Sequence, residues 1–293
     1  MKKYLTVTAP PDYDGRTLLK YLKNELAFSQ AKVSSVKFDP DGLLLNGERV
    51  TVRAVLREGD ALRVLLSDSE KRENHILPNE LPLQILYEDD SLIALNKPAG
   101  MVCHPSKGHL VDSLASALRA YFDRTDPEAG VHFLGRLDKE TSGIVLCAKN
   151  AVAAAVLERD DTVQKTYIAL ASGVFGEKEG VISLPMRFVR DAEGILRAEP
   201  GEKAALTRFS VCRQYRDYAL LSVTIATGRM HQIRFHMAEY GHPLLGDLRY
   251  GGPAEKIGRA ALHAGDLCFL HPFTKEKICL HTDFPADMAG LWK

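Results

Sequence analysis

The sequence predicts an α+β protein dominated by antiparallel sheet, on three observations. Most apolar segments after residue 85 are short and either β-branched or alternating with polar residues, as in "KTYIALASG", "LTRFSVCRQY" and "YALLSVTIAT", the pattern of strands with one buried face. Helical periodicity is confined to a few stretches. Asn46-Gly47, between the strand-like halves of "LLLNGERVT", is the strongest short-range hairpin signal.

In chain order, "DGRTLLKYLKNEL" (14–26) sets Leu18, Leu19, Leu22 and Leu26 on one helical face, and "FSQAKVSSVKF" predicts a second short helix opened by Ser29. The Asn46-Gly47 hairpin follows, then a turn and strand in "REGDALRVLL" around Gly59-Asp60. Residues 12–67 therefore read as a compact unit of two helices and a small sheet. "SDSEKRENHILPNELP" (67–82) is polar, charged and twice punctuated by proline, which suits a linker. The division expected is a small α/β domain over 1–75, a linker to about 82, and a larger domain over 83–293. The larger domain opens with "LQILYEDDSLIALNKPAG", two strands around an Asp89-Asp90 turn, and continues through a helix in "LVDSLASALRAYF". "MHQIRFHMAEYG" predicts a late helix with Gly241 in the place of a C-terminal cap.

Composition sets limits. With 293 residues, 45% hydrophobic and 26% charged, the chain is long enough for a substantial core and ordinary for a globular protein. No apolar stretch reaches the length of a membrane span, and "MKKYLTVTAPPDYDG" has no apolar run behind its lysines, so neither membrane insertion nor a signal peptide is expected and the location expected is cytoplasmic. Lys plus Arg equals Asp plus Glu at 38 each, so any nucleic-acid surface must be local. The five cysteines show no C-x-x-C spacing. Most lie in apolar runs, so a disulfide framework is not expected.

The densest chemistry lies in "HFLGRLDKETSGIVLCAKN" (132–150), where Asp138 stands between Arg136 and Lys139. Taken alone, an Asp before a Thr-Ser-Gly turn is a turn or capping residue. Asp138, however, leads into "IVLCA", which reads as a buried strand, and an ionised carboxylate near a core needs a cation. An aspartic protease would need Asp-Thr/Ser-Gly twice, and a glycoside hydrolase two flanking carboxyl groups. Neither pattern is present.

A second cluster is "TGRMHQIRFHMAEYGHPLLGDLRYG" (227–251). His231 and Arg234, three apart, would share a helical face, with Arg229 at the helix mouth where backbone N–H groups attract anions. Arg234 is embedded among Ile233, Phe235 and Met237, so it is expected to be buried and paired, with Asp138 the expected partner. Tyr167 in "QKTYIAL", beside Lys165, is a packing residue by default and an aromatic platform for a base as the alternative. Cys268, His271, Cys279 and His281 have short spacings, and their segment "LCFLHPFTKEKICLH" reads better as a hairpin than as a zinc site. No metal is expected.

Taken together, "EDDSLIALNKPAGMVCHP", "GRLDKETSGIVLCAKN", "KTYIALASG", "TGRMHQIRFHMAEYGHPLLGDLRYG" and "LHAGDLCFLHP" resemble, in order, the motifs of the RluA-type family of RNA pseudouridine synthases. The N-terminal unit is similar to the alpha-L RNA-binding motif of a ribosomal protein. Gln30 stands where that motif usually has arginine, which leaves the basic face to Lys32, Lys37 and others. The resemblance implies a mainly antiparallel catalytic domain behind a small RNA-binding domain, and an isomerase that turns uridine in RNA into its carbon-linked isomer. No cofactor is implied, and the partner is ribosomal RNA, most of all of the large subunit, or transfer RNA. A monomer is expected. Asp138 would be the catalytic aspartate, either nucleophile toward the ribose or base for its 2′ proton. Arg234 would hold it, Tyr167 would stack on the uracil with the final deprotonation as a further catalytic role, and Arg136 would fill the place of the flipped nucleotide. Arg229 and His231 would line the RNA side. Gly135 stands where the family usually has His or Asn. The rival expectation is a non-catalytic RNA-binding or ribosome-assembly factor on the same scaffold, which would be expected to have lost at least one of Asp138, Tyr167, Arg136 and Arg234.

Overall fold

The structure, a computed structural model, describes residues 2–66, 76–190 and 196–291. Its N-terminal part contains β1 (Tyr4–Thr8), α1 (Leu18–Asn24), α2 (Gln30–Phe38), β2 (Leu43–Leu45), β3 (Glu48–Arg49) and β4 (Ala61–Leu65). The four strands form one antiparallel sheet in the order β1-β4-β2-β3. Asn46 and Gly47 both take positive φ, 52° and 86°, as a tight hairpin turn requires. Ser29 caps α2 by accepting from Lys32 N–H at 3.1 Å. α1 starts at Leu18, with the first residue of its apolar pattern, and the residues before it are used elsewhere: Gly15 N–H bonds Leu56 O and Leu18 N–H bonds Ala54 O. Leu18, Leu22, Leu26, Val33, Val36, Leu43, Leu62 and Val64 form the core of this part.

One position on α2 departs from expectation. Lys32 is buried beside Val33 and Val36, and its ammonium donates to Leu66 O at 2.8 Å. The face of α2 that carries it is the one packed on the sheet, so Lys32 does not belong to an exposed basic surface. Lys37 is exposed, with its ammonium 5.2 Å from the Phe38 ring.

The linker expected at 67–82 falls outside the described residues over 67–75, and residues 76–84 have no regular structure. Downstream come β5 (Ile85–Glu88), β6 (Leu92–Lys97), α3 (Leu114–Thr125), β7 (His132–Phe133), β8 (Ser142–Ala148), α4 (Ala151–Asp160) and β9 (Gln164–Ser172). They are followed by β10 (Glu179–Ser183), β11 (Met186–Arg190), β12 (Leu196–Pro200), β13 (Leu206–Gln214), β14 (Tyr218–Ile225), α5 (Gln232–Glu239), β15 (Leu262–Leu270), β16 (Lys277–His281) and α6 (Ala286–Ala289). A ten-stranded sheet runs β10-β13-β14-β9-β15-β8-β6-β5, with β16 added to β15 and β7 to β8; β11 and β12 form a separate ribbon. The architecture is α+β and mainly antiparallel, as the alternating pattern predicts.

The exception to the antiparallel rule is the contact between β8 and β15, which run parallel and pair only at Ser142–Gly143 with His263–Ala264. Beyond that point the strands part. β16 continues along β15 from Asp266, and β7 continues along β8 at Cys147–Ala148. Gly143 makes the close approach possible: its φ is +113°, and a Cβ there would lie 2.2 Å from Ala264 O. The loop from β7 to β8, residues 134–141, lies over this divergence and carries Asp138.

β15 and β16 form the expected hairpin, with Cys268 directly opposite Cys279 and their Cα atoms 4.2 Å apart. The two are joined as a disulfide. Cys103, Cys147 and Cys212 are outside any disulfide, so the expectation of reduced cysteines fails at this one pair, where the register places the two side chains face to face.

Candidate active site

Asp138 is held by its loop before it is held by any charge. Gly100 N–H donates to Lys139 O at 2.7 Å, and Leu137 N–H to Cys103 Sγ at 3.4 Å. Lys97 is fully buried and spends its ammonium on three carbonyls: Pro98 O at 2.9 Å, Met101 O at 2.8 Å and Lys139 O at 3.3 Å. Thr141 N–H closes the turn on Asp138 O at 3.1 Å. The "NKPAGM" segment thus clamps the reactive loop from below, and burial draws the Lys97 pKa down to about 8.

The opposite wall is the segment from β14 into α5. Gln232 is buried, and its amide is used at both ends: the nitrogen donates to Leu206 O at 3.0 Å, and the oxygen accepts from Thr227 Oγ1 at 2.7 Å and Arg229 N–H at 3.1 Å. This fixes the "TGRM" loop. His231 precedes α5 as its N-cap, in a left-handed conformation with φ 57°. It therefore does not share a helical face with Arg234, although both line the same cleft.

That cleft, about 350 Å³, brings together Arg136, Asp138, Lys165, Tyr167, Arg229, His231 and Arg234. The residues singled out in the catalytic part of the sequence meet in one place. Lys165 and Tyr167 alternate along β9 and so point to one side of the strand. Burial, then the nearby Asp138 and Cys103, raise the Tyr167 phenol well above its ordinary value. Burial also lowers Lys165 to about 8. Asp138 keeps a side-chain exposure of 16%. Burial raises its pKa, and the charges of Arg234 and Arg136 and a hydrogen bond from the His231 main-chain N–H oppose that rise.

Arg234 is buried as expected, but its main partner is not Asp138. Its Nε and NH2 each bond Asp247 at 2.7 Å, a bidentate pair in which Asp247 is fully buried. Asp138 Oδ2 lies 4.0 Å from NH1, and Glu140 Oε2 lies 3.2 Å from NH2. The physical reason is desolvation: two almost fully buried charges need the shortest, two-pronged geometry, and Asp247 supplies it. Arg234 is anchored by one carboxylate and presents its remaining edge to another. Asp247 lies in "GHPLLGDLRYG"; the buried position of Arg234 signals an acid partner but not the segment that supplies it. Among the described residues no group of three or more His, Cys, Asp or Glu side chains forms a metal-binding cluster.

Against known proteins, residues 91–239 match the model of the family described as RNA pseudouridylate synthase. The chain belongs to the RNA pseudouridylate synthase family. It is 37% identical to "Uncharacterized RNA pseudouridine synthase YjbO" of Bacillus subtilis, over 94% of this chain and 98% of that protein. It is 32% identical to "Ribosomal large subunit pseudouridine synthase D" of Haemophilus ducreyi, over 96% of this chain and 86% of that one. Among solved structures, "Human RNA Pseudouridylate Synthase Domain Containing 1" superposes with a TM-score of 0.55 at 27% identity, covering 69% of this chain and 83% of that one. Membership makes the chain an isomerase, an RNA pseudouridine synthase, and the RluA-type resemblance of its motifs stands.

Proposed function

We propose that this pseudouridine synthase acts on ribosomal RNA, most of all that of the large subunit, with Asp138 as the reacting carboxylate. The observation that carries the site assignment is the setting of Asp138: partly desolvated, in a cleft, beside a cationic edge already anchored elsewhere. A carboxylate so placed stays available for chemistry, since Arg234 does not use it as its own counter-ion. Asp138 attacks the ribose or takes its 2′ proton; Tyr167 stacks on the uracil; Arg136, exposed at the rim, takes the place of the extruded nucleotide. Arg229 and His231 bound the RNA side of the cleft. The name of the Haemophilus relative supports the ribosomal target. Residues 1–75 act as an RNA-binding domain whose basic groups include Lys37, and the protein works as a monomer in the cytoplasm. Asp138, Tyr167, Arg136 and Arg234, of which a decayed enzyme would be expected to lose at least one, are all present, which favours catalysis over a purely binding role.

Tritium release from carbon 5 of labelled uridine in large-subunit ribosomal RNA, with site mapping in cells with and without the gene, tests this reading. Loss of a large-subunit pseudouridine on gene deletion is expected. An unchanged ribosomal map with a lost transfer-RNA site would move the substrate to transfer RNA.

A further inference from the structure

A left-handed backbone at a residue such as His231 costs free energy and persists where surrounding interactions hold it. Those interactions are visible on both sides of the residue. The main-chain N–H is one of the groups that favour the charged form of Asp138. The ring is gripped from behind, with Nδ1 3.0 Å from the Tyr250 hydroxyl, while Nε2 faces Asp138 Oδ2 at 3.9 Å. The hydroxyl has a second neighbour: Ala198 N–H of β12 donates to it at 3.0 Å. Already accepting from Ala198 N–H, the hydroxyl has its own proton to give to Nδ1. A ring that accepts at Nδ1 carries its proton on Nε2. Burial, reinforced by Arg234 and Arg249, pulls the His231 pKa to about 3, so the surroundings set its tautomer while its charge stays zero.

We infer that Tyr250 is a positioning residue of the active site: its hydroxyl, seated on the backbone of β12, selects the His231 tautomer that presents an N–H to Asp138. The inference rests on Asp138 being the reacting carboxylate. It turns a neutral N–H toward that carboxylate, 3.9 Å away, beside the charged edge of Arg234. The seat is secured by the neighbouring residue, since Arg249 NH1 donates to Leu196 O at 2.7 Å. Arg249 and Tyr250 thus hold alternate residues of the ribbon strand, and the ribbon is linked through Tyr250 and His231 to Asp138.

Tyr250→Phe tests this in the full chain. It deletes one oxygen and keeps the ring, which lies 5.5 Å from the Arg234 guanidinium and 6.2 Å from the Phe235 ring. Nitrogen-15 NMR of His231 in the wild type should show a neutral ring protonated on Nε2, and the variant a mixture of tautomers. Loss of a single neutral hydrogen bond should lower kcat about tenfold. KM for RNA should stay within about twofold, because the interaction is not with bound substrate. In a His231→Ala background, Tyr250→Phe should add no further loss. A wild-type ring protonated on Nδ1 would overturn the inference, whether or not any variant folds. So would an unchanged tautomer in Tyr250→Phe, or equal losses in both backgrounds. The tautomer is read without catalysis, so failure of the Asp138 assignment, tested separately by Asp138→Asn, remains distinguishable.

Discussion

Asp138 is pulled by burial toward its neutral form and by Arg234, Arg136 and the His231 N–H toward its anion, with burial prevailing. Its folded pKa is therefore raised, and turnover that needs the anion should climb with pH through a value above the ordinary Asp range of about 3.9. The acid limb of single-turnover rate against pH measures this; a limb at or below that range would contradict the raised carboxyl. For stability the sign is opposite to that of a salt-bridged acid. A raised folded pKa favours the folded state at low pH, and that contribution is lost as pH rises through the folded value. Asp138→Asn should therefore abolish tritium release without lowering the melting temperature at neutral pH. Asp247→Asn is the contrasting case. It breaks a buried bidentate pair and leaves Arg234 desolvated, at a cost of about 3–5 kcal/mol, readable by urea unfolding. Equal stability losses in the two variants would mean that Arg234 depends on both acids alike.

At the scale of elements, much of the architecture was legible because its signals are local. The Asn46-Gly47 hairpin, the Ser29 cap and the β5–β6 and β15–β16 pairs each follow from residues within one short window. Asp138, Tyr167 and Arg234, which line one cleft, were legible as candidates because each is an anomaly in an apolar setting. Asp247 was not singled out, because its link to Arg234 passes through the irregular "GHPLLGD" turn rather than through helix spacing. Lys32 misled because its charge suggested solvent, whereas the rotation of α2 against Leu66 O decides its place. The parallel β8–β15 contact was not legible either, since it joins residues 143 and 264 with no periodic trace. Its dependence on Gly143 gives a prediction at this scale. Gly143→Ala, at φ +113° with a backbone oxygen 2.2 Å from the new methyl carbon, should cost about 3 kcal/mol or more and reduce turnover by displacing the Asp138 loop. A melting temperature within a degree or so of wild type would show that the strands part without penalty.

For the whole molecule, zero formal net charge means that RNA affinity must come from local groups, and the salt dependence of binding counts them. Each phosphate contact removed flattens the slope of log K against log salt by about 0.7–0.9. Lys37→Gln should produce such a step, while Lys32→Gln, whose parent ammonium is spent on Leu66 O, should leave the slope unchanged. A step for Lys32→Gln in a folded variant would return that residue to the RNA surface.

The β8–β15 contact also dictates when the site can exist. The carboxylate loop leads into β8, which pairs along its length with the earlier β6, yet β15, which closes the sheet on its other side, ends at Leu270, and Arg234 and Tyr250 precede it only by a short stretch. Closing the sheet there joins distant parts of the chain, the kind of contact that forms slowly. A ribosome making this protein has therefore emitted nearly the whole polypeptide before any catalytic cleft forms. Nascent chains stalled before residue 262 should hold the N-terminal sheet and no uridine-isomerising centre.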